Sequence, residues 1–574
     1  MHLAWVRQVR GLYRNSASGN PDNRGLDSDF ARSTYVPTRL DTALLPDVAS
    51  LKKRLVLLTG NPGDGKTAFL EKVRDDLMAR GATAIREDRY GWELSYSGKR
   101  FEAIFDASES RGPTADTDVL RRAFAPFAGS SPPEPLSLPV LLIAINDGRL
   151  HKFLNSEKDT FGWLAERVGR LIFEEGEQDP YIEIVDLKRR ALVQLPGNAG
   201  SMLSRMLAGL VERSKWEGCD KCSACADCSI KFNADRLSNS QVVSRLEYLF
   251  LIQHWRRHRR ATIRDVRSAL AYLITGNLVC EDIHRERREQ RREEDWNLRP
   301  YFHAVFNARH EKDEMLDDLA AVDPAQRAHP RLDRFLHFHR STDRWDSVLE
   351  YTAGISSPAA FDAAMNPEIL EGRWHGSMKR RLYFEADNAK LHSGGWELPE
   401  SGEMLPYRYL TDFAAAMTGA FSMDQVLARL VDGISRAEGV PKTASDGRLS
   451  LSLARNADQE LTVIKQFDPS QFRCVVVLNG SQYVENIPDA LRLFHISGNP
   501  SINVTLDMFE LLSRLADGYT AGTQEFEPFL VELSEFKSGL LRMGVSEVLL
   551  LEGRSRLHRV ALENGVIALK ESIR

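Results

Sequence analysis

The chain has 574 residues, 43% hydrophobic and 27% charged, with a formal net charge of -5. That composition is ordinary for a globular protein, and the length predicts about two to four domains. The mild acidity excludes a global basic field for nucleic acid, leaving only a local basic face open. No apolar run is long enough to span a bilayer, and Met1–Arg7 lacks the apolar core of a signal peptide, so the expectation is a cytoplasmic protein without a membrane partner.

Residues 1–46 are polar and rich in Gly, Asn and Asp. Trp5–Arg10 has the pattern of a short helix, and Arg24–Phe30 reads as loop. This stretch is expected as a linker beside the nucleotide-binding region that follows. Arg54-Leu55-Val56-Leu57-Leu58-Thr59 is a short apolar run of buried-strand type. It leads into Gly60-Asn61-Pro62-Gly63-Asp64-Gly65-Lys66-Thr67, which fits the phosphate-loop pattern G-x-x-x-x-G-K-S/T at every fixed position. Ala68–Leu77 then has helical spacing of apolar residues.

The motif therefore has its required context of strand, glycine loop and helix. Glycines bend the backbone around a phosphate chain, and backbone N–H groups and the helix N-terminus face the anion. In this motif the lysine, here Lys66, reaches the β- and γ-phosphates, and the hydroxyl of Thr67 holds Mg²⁺. The expectation is a chain that binds a nucleoside triphosphate, ATP in the first instance.

Residues 47–190 form the predicted nucleotide core. Ala82–Arg86 and a hairpin through Trp92–Tyr96 and Ser97–Arg100 precede Phe101–Asp106, read as a strand ending in an acid. A helix is predicted near Asp118–Phe127, a strongly apolar strand over Pro139–Ile145, a helix over Phe161–Phe173 and a strand over Tyr181–Asp186. Strands alternating with helices predict a parallel sheet covered on both faces. Hydrolysis needs an acid for Mg²⁺ and a group that positions water. Asp106 is the first candidate for the metal, with Glu109 as the water-orienting residue, although the usual pattern puts that glutamate directly after the aspartate. Asn146, at the end of the next strand, fits the sensor position of an AAA+ arrangement. The reverse assignment, with Asp147 as the metal acid, stays open, as does simple helix capping by Asp106, Glu109 and Asp147. Arg167, Arg170, Arg189 and Arg190 are candidate arginine fingers for a ring assembly.

Residues 191–275 read as a helical lid, interrupted by Cys219, Cys222, Cys225 and Cys228 in a C-x-x-C-x-x-C-x-x-C array. In a reducing compartment that array means metal rather than disulfides. Four thiolates suit tetrahedral Zn²⁺, with an iron–sulfur cluster as the alternative. Cys280 and Cys474 stand alone and read as small core residues. Trp255-Arg256-Arg257-His258-Arg259-Arg260 is the sharpest basic run. It fits either contact with nucleic-acid phosphates or compensation of a helix C-terminus. Arg264 or Arg267, on the next helix, would serve as a second sensor; solvated helix arginines are the plain alternative.

Residues 276–417 are expected to be mostly helical, with Arg285–Glu294 a solvated helix carrying internal ion pairs. Residues 418–574 differ. Leu449–Leu453, Leu461–Ile464, Cys474–Leu478, Val548–Leu551 and Leu557–Ala561 read as strands, and Val504–Leu515 and Phe526–Met543 as helices, together a C-terminal α+β domain.

The Gly60–Thr67, Phe105–Ser110 and Ile143–Leu150 segments together resemble the ATPase region of bacterial anti-phage defence proteins. The nearest resemblance is to the region beyond the kinase in PglW-like kinases of BREX-type and methylation-associated defence systems; DptF, the ATPase of phosphorothioation-dependent restriction, is more distant. The resemblance implies an AAA+-like ATPase that acts with partner proteins against foreign DNA; a homo-oligomer and contact with double-stranded DNA are further expectations. The chain departs from the kinases in having no kinase glycine loop with its strand lysine, no H-R-D loop and no D-F-G. A nucleotide-gated scaffold with little hydrolysis is the rival reading; a small-molecule kinase is disfavoured by the length and the lack of a substrate lid.

Overall fold

The computed structural model describes residues 2–16, 25–26, 28–107, 116–134, 138–173, 178–198, 200–256, 260–290, 296–340, 351, 370–397, 399–456, 460–478, 480–544, 547–553, 556–563 and 566–573. The chain is mixed α/β. No helix among the described residues is long and apolar enough to cross a membrane. By internal contacts it divides into two units, Met1–Leu251 with Arg259–Leu398 and Asn479–Ile487, and Ile252–His258 with Pro399–Leu478 and Pro488–Arg574.

The first unit is built on a six-stranded sheet of order β2-β3-β4-β5-β1-β6. Its strands are β1 (Leu55–Thr59), β2 (Thr83–Asp88), β3 (Gly91–Tyr96), β4 (Lys99–Ile104), β5 (Val140–Ala144) and β6 (Ile182–Asp186). β4, β5, β1 and β6 run parallel, whereas β2 and β3 add an antiparallel edge. Alternation along the central strands explains their continuous apolar runs. Val56, Leu58, Leu142 and Ala144 face one cluster with Phe69, Leu70 and Val73 of the helix Lys66–Ala79. Leu55, Leu57, Leu141 and Ile143 face the other, with Leu120, Phe124, Phe153 and Leu164. Both faces are covered, so β5 is apolar throughout and β1 is apolar up to its last residue, Thr59. The hairpin before β4 turns through Ser97 and Gly98, both at positive φ.

Several predicted elements shift. β4 ends at Ile104, so Asp106 lies two residues beyond the strand rather than at its last position. Within the stretch read as loop, Asp29 opens a short helix, Asp29–Ser33, because the Ser28 side chain accepts from the Ala31 N–H and caps it.

The second unit carries a five-stranded antiparallel sheet of order β14-β13-β12-β8-β7 and a three-stranded sheet β11-β10-β9. These are β7 (Leu449–Asn456), β8 (Leu461–Phe467), β9 (Phe472–Val477), β10 (Ala490–His495), β11 (Ser501–Val504), β12 (Glu547–Glu552), β13 (Arg556–Glu563) and β14 (Val566–Ile573). Helix Met423–Ala437 crosses helix Leu506–Ala516 at Gly433, where an added Cβ would stand 2.4 Å from the Leu512 carbonyl oxygen.

Candidate functional site

The Gly60–Thr67 loop leaves the C-terminal end of β1 and enters the helix Lys66–Ala79 directly. Its glycines are required by the backbone. Gly60, Gly63 and Gly65 have φ of +141°, +101° and +85°, where a side chain is strained. Gly65 is the residue preceding the helix, in left-handed conformation. A Cβ on Gly63 would stand 2.7 Å from the Arg264 Cβ.

The loop is braced from inside and from behind. Asp64, only 5% exposed, accepts from the Asn61 N–H at 2.6 Å. Burial raises its pKa, with Lys66 and Arg190 opposing. The Arg190 guanidinium donates to the Asp64 carbonyl at 2.9 Å and stands 3.2 Å from Glu485. From the helix Ile263–Thr275, the Arg264 N–H donates to the Gly63 carbonyl at 3.3 Å. Thr262 and Asp265 cap that helix reciprocally, which fixes the end that touches the loop.

Lys66 is half-buried, and its ammonium donates to the carbonyls of Gly60 and Asn61 at 2.8 and 2.9 Å. Burial lowers its pKa, while Asp64, Asp106 and Asp147, in that order, oppose the shift and Arg264 adds to it. The two sheet-end acids named from sequence therefore both lie in the electrostatic reach of the loop lysine. Asp106 is exposed; the next residue, Ala107, donates to the Ala144 carbonyl at 2.9 Å and holds this segment against the end of β5. Ile145 donates to Leu58 at 3.0 Å, which sets Asn146 beside the end of β1. Asn146 also accepts from the Gly148 N–H at 2.9 Å and caps the helix Asp147–Ser156. Asp147 is the first residue of that helix and is ion-paired with Lys188. Glu109 lies outside the described residues.

The candidate arginines separate. Arg264 lies at the loop, whereas Arg267 is turned away, donating to the Thr34 hydroxyl at 2.8 Å, with burial lowering its pKa to about 10. Arg167 pairs with Asp179 at 2.6 Å, Arg170 with Glu166, and Arg189 with Asp186 at 3.3 Å. In the basic run, Trp255 is buried and donates to the Pro488 carbonyl at 3.1 Å, and Arg256 pairs with Asp507 at 3.2 Å. Arg260 donates to the Lys188 carbonyl at 2.8 Å. Residues 257–259 lie outside the described residues. The helix Ser240–Arg256 ends at this run, the position where basic charge complements the macrodipole.

The cysteine array folds as successive tight turns. The N–H groups of Cys222, Cys225 and Cys228 donate to the carbonyls of Cys219, Cys222 and Cys225 at 3.0, 3.0 and 3.4 Å. Cys228 precedes the helix Ser229–Arg236, and its sulfur accepts from the Lys231 N–H at 3.5 Å. Burial, then the neighbouring Cys228, Cys222 and Cys225, pushes the Cys219 thiol up to about 11 despite Lys231. As placed, no three His, Cys, Asp or Glu side chains among the described residues converge tightly enough to hold an ion. The donor chemistry suits zinc, but the closed Cys219–Cys222–Cys225–Cys228 set is not formed.

Sequence reasoning missed two residues here. Cys280 opens the helix Cys280–Glu289, and burial, Cys219, Glu281 and Cys222 together push its thiol up to about 11. It is therefore no isolated core residue. His284, four residues on, stands 3.4 Å from the Cys222 sulfur. The i, i+4 spacing of Cys280 and His284 was the available signal. The same helix is tied outward: Glu286 accepts from Arg299 at 2.6 and 2.8 Å, so its charges are not all internally paired.

No protein-family model, curated protein or solved structure matches the chain.

Proposed function

We propose that the chain binds and hydrolyses ATP through a P-loop, AAA+-like core. The observation that carries this reading is the convergence on Lys66 of a glycine loop at the end of a buried parallel strand and of two separately delivered acids, Asp106 and Asp147. The positive-φ glycines and the half-buried start of the helix form a cradle suited to a phosphate chain. Lys66 would exchange its two carbonyl partners for the β- and γ-phosphates, and Thr67 would supply its hydroxyl to Mg²⁺. Mg²⁺, when bound, neutralises charge developing on the phosphates. Asp106 is favoured as the acid for that ion over Asp147. Asp147 is the alternative acid; it is ion-paired with Lys188 and would have to leave that pair to hold the metal. Asn146, beside the end of β1, would orient water, and Arg264 would touch the phosphates.

The resemblance described above extends the proposal to a motor or switch in a bacterial anti-phage defence complex, oligomeric, with defence proteins and double-stranded DNA as partners. The second reading, a nucleotide-gated scaffold, is favoured by one feature: Glu109 stands three residues beyond Asp106 instead of beside it. ATP turnover of the wild type, Lys66→Ala and Asp106→Ala, with and without double-stranded DNA, tests both. Turnover lost in both variants supports the ATPase. Tight ATP binding without turnover in the wild type selects the scaffold. No ATP binding overturns both.

A further inference from the structure

The segment joining β9 to β10 does not stay with the strands that it connects. Residues 480–487 belong to the first unit, although β9 ends at Val477 and β10 starts at Ala490 in the second. Tyr483 and Val484 are buried in the cluster that holds Val56, Leu58, Phe69 and Leu70, between β1 and the helix after the glycine loop. Ser481 donates to Glu183 of β6 at 3.2 Å, and the Tyr483 hydroxyl donates to Asp47 at 2.8 Å. The Ala191 N–H donates to the Glu485 carbonyl at 2.8 Å. The two oxygens of the Glu485 carboxylate are divided. Oε1 accepts from the Arg39 N–H at 2.7 Å, and Oε2 lies 3.2 Å from the Arg190 guanidinium. Arg190 in turn donates to the Asp64 carbonyl, inside the loop, at 2.9 Å. Its side chain is 3% exposed and is spent on its own loop, which withdraws it from the surface where an arginine finger would stand.

We infer that Arg190 and Glu485 are positioning residues of the nucleotide site: Glu485 holds Arg190, Arg190 holds the Asp64 peptide, and a strap from the distant β9–β10 connection thereby completes the phosphate loop. This rests on the reading of Gly60–Thr67 as the phosphate site. A guanidinium as buried as this one needs an anion beside it, and Glu485 supplies the charge. The paired guanidinium then makes a charge-assisted bond to a backbone carbonyl. That carbonyl belongs to the peptide between Asp64 and Gly65. In a planar trans peptide the C=O and N–H point to opposite sides. Fixing the Asp64 carbonyl on Arg190 therefore turns the Gly65 N–H away from Arg190, ready as one of the backbone donors that face an anion at the start of the helix. Without the pair, the same peptide has to be ordered by the ligand, and affinity falls.

The test uses the full chain and the non-hydrolysable ATP analogue AMPPNP with Mg²⁺, titrated calorimetrically, with Tm measured on each variant. Lys66→Ala is the reference for the loop itself. Arg190→Met and Glu485→Gln should each weaken binding by about tenfold, the scale of one charge-assisted hydrogen bond. Each should also lower Tm, because it strands a buried partner. The double variant Arg190→Met/Glu485→Gln removes both charges. It should regain Tm over the worse single variant while binding no more tightly than Arg190→Met. Arg190→Lys keeps the charge for Glu485 but loses the guanidinium fork, so it should fold and still bind more weakly. Tyr483→Phe cuts the strap's bond to Asp47 without touching Arg190, and should leave affinity within about twofold, as for an independent site. Affinity unchanged in both single variants while Tm falls would overturn the inference, since the pair would then serve only the fold. Affinity that returns with Tm in the double variant would overturn it for the same reason. Losses that add in the double variant would show that Glu485 does not act through Arg190. A wild type that binds no AMPPNP, or binds it as well after Lys66→Ala, would overturn the phosphate-loop reading and this inference with it.

Discussion

The glycine loop and the cysteine turns are both short, regular motifs in the first unit, but their geometry has different origins. At Gly60–Thr67 the donors are largely backbone N–H groups, and their direction follows from three glycines at positive φ between a buried strand and a helix. The loop's own residues are contiguous, although Arg190 and Arg264 brace it from elsewhere in the chain. At Cys219–Cys228 the donors are side chains, and the turns bring them near a helix whose first residue is Cys280. A contiguous motif shapes the loop, whereas the cysteine turns pack against a helix distant in sequence. Changes in one should leave the other intact.

The largest expected effect is at the loop. Lys66→Ala and Asp106→Ala should each cut ATP turnover by about 100-fold or more, the scale of removing one charge-stabilising group. Zinc content should not change in either. Loss of zinc on Lys66→Ala, measured on the same preparation, would break the separation of the two regions.

Next is treatment of the full chain with a strong chelator, which would strip the zinc expected from the cysteine array. A structural ion contributes folding free energy directly. The expected outcome is a lower Tm, by several degrees, with ATP affinity unchanged within about twofold, because an unshifted binding constant is the mark of independent sites. A fall in ATP affinity with zinc removal would show that the region supports the loop.

What the sequence makes legible follows the same division. β1 and β5 are readable because strands covered on both faces must be largely apolar, and the burial of Leu55–Thr59 and Val140–Ala144 is complete; β6, at the sheet edge, is readable from Ile182, Ile184 and Val185. The glycine loop is readable because its residues are constrained by backbone conformation. The braces behind it are not. Arg190 under Asp64 and Lys188 on Asp147 come from the segment after β6, and nothing in their local pattern separates them from other basic residues. The i, i+4 spacing of Cys280 and His284 hinted at one helix face, but only packing sets that face beside the cysteine turns. β14 was missed because Val566–Ile573 alternates too weakly to be distinguished from a tail; its pairing with β13 supplies the order.

A smaller effect should isolate backbone conformation. Gly65→Ala adds a methyl only 3.4 Å from the Ile263 Cδ1, an ordinary contact, but forces alanine to φ +85°. The cost is about 1–3 kcal/mol of local strain. ATP affinity should fall roughly tenfold or more at that cost, since 1.4 kcal/mol is a factor of ten. Calorimetric titration against the wild type measures it. An unchanged affinity would mean that the loop reaches its conformation without needing the glycine, and the contrast with the cysteine region would lose its basis.

The smallest effect concerns the buried acid inside the loop. Burial raises the Asp64 pKa above its unfolded value, so the protonated form is relatively favoured in the fold. The sign follows from linkage. That contribution to stability is complete below the unfolded pKa and is lost as pH rises through the higher folded one. At neutral pH the ionised carboxylate is therefore a net cost, even though it accepts the Asn61 N–H. Asp64→Asn keeps an acceptor oxygen for that bond and removes the charge. It should raise stability at neutral pH by about 1 kcal/mol at most, the scale of one adjusted hydrogen bond. The gain should shrink as pH falls through the folded pKa, where the wild-type acid is itself neutral. ATP should bind slightly more tightly to the variant, because one negative charge beside the phosphates is gone. A stability gain that does not depend on pH would show that the carboxylate is not the source. A loss at neutral pH would mean that Lys66 and Arg190 hold the ionised form more strongly than burial opposes it, and Asp64 would then be a brace of the loop through its charge.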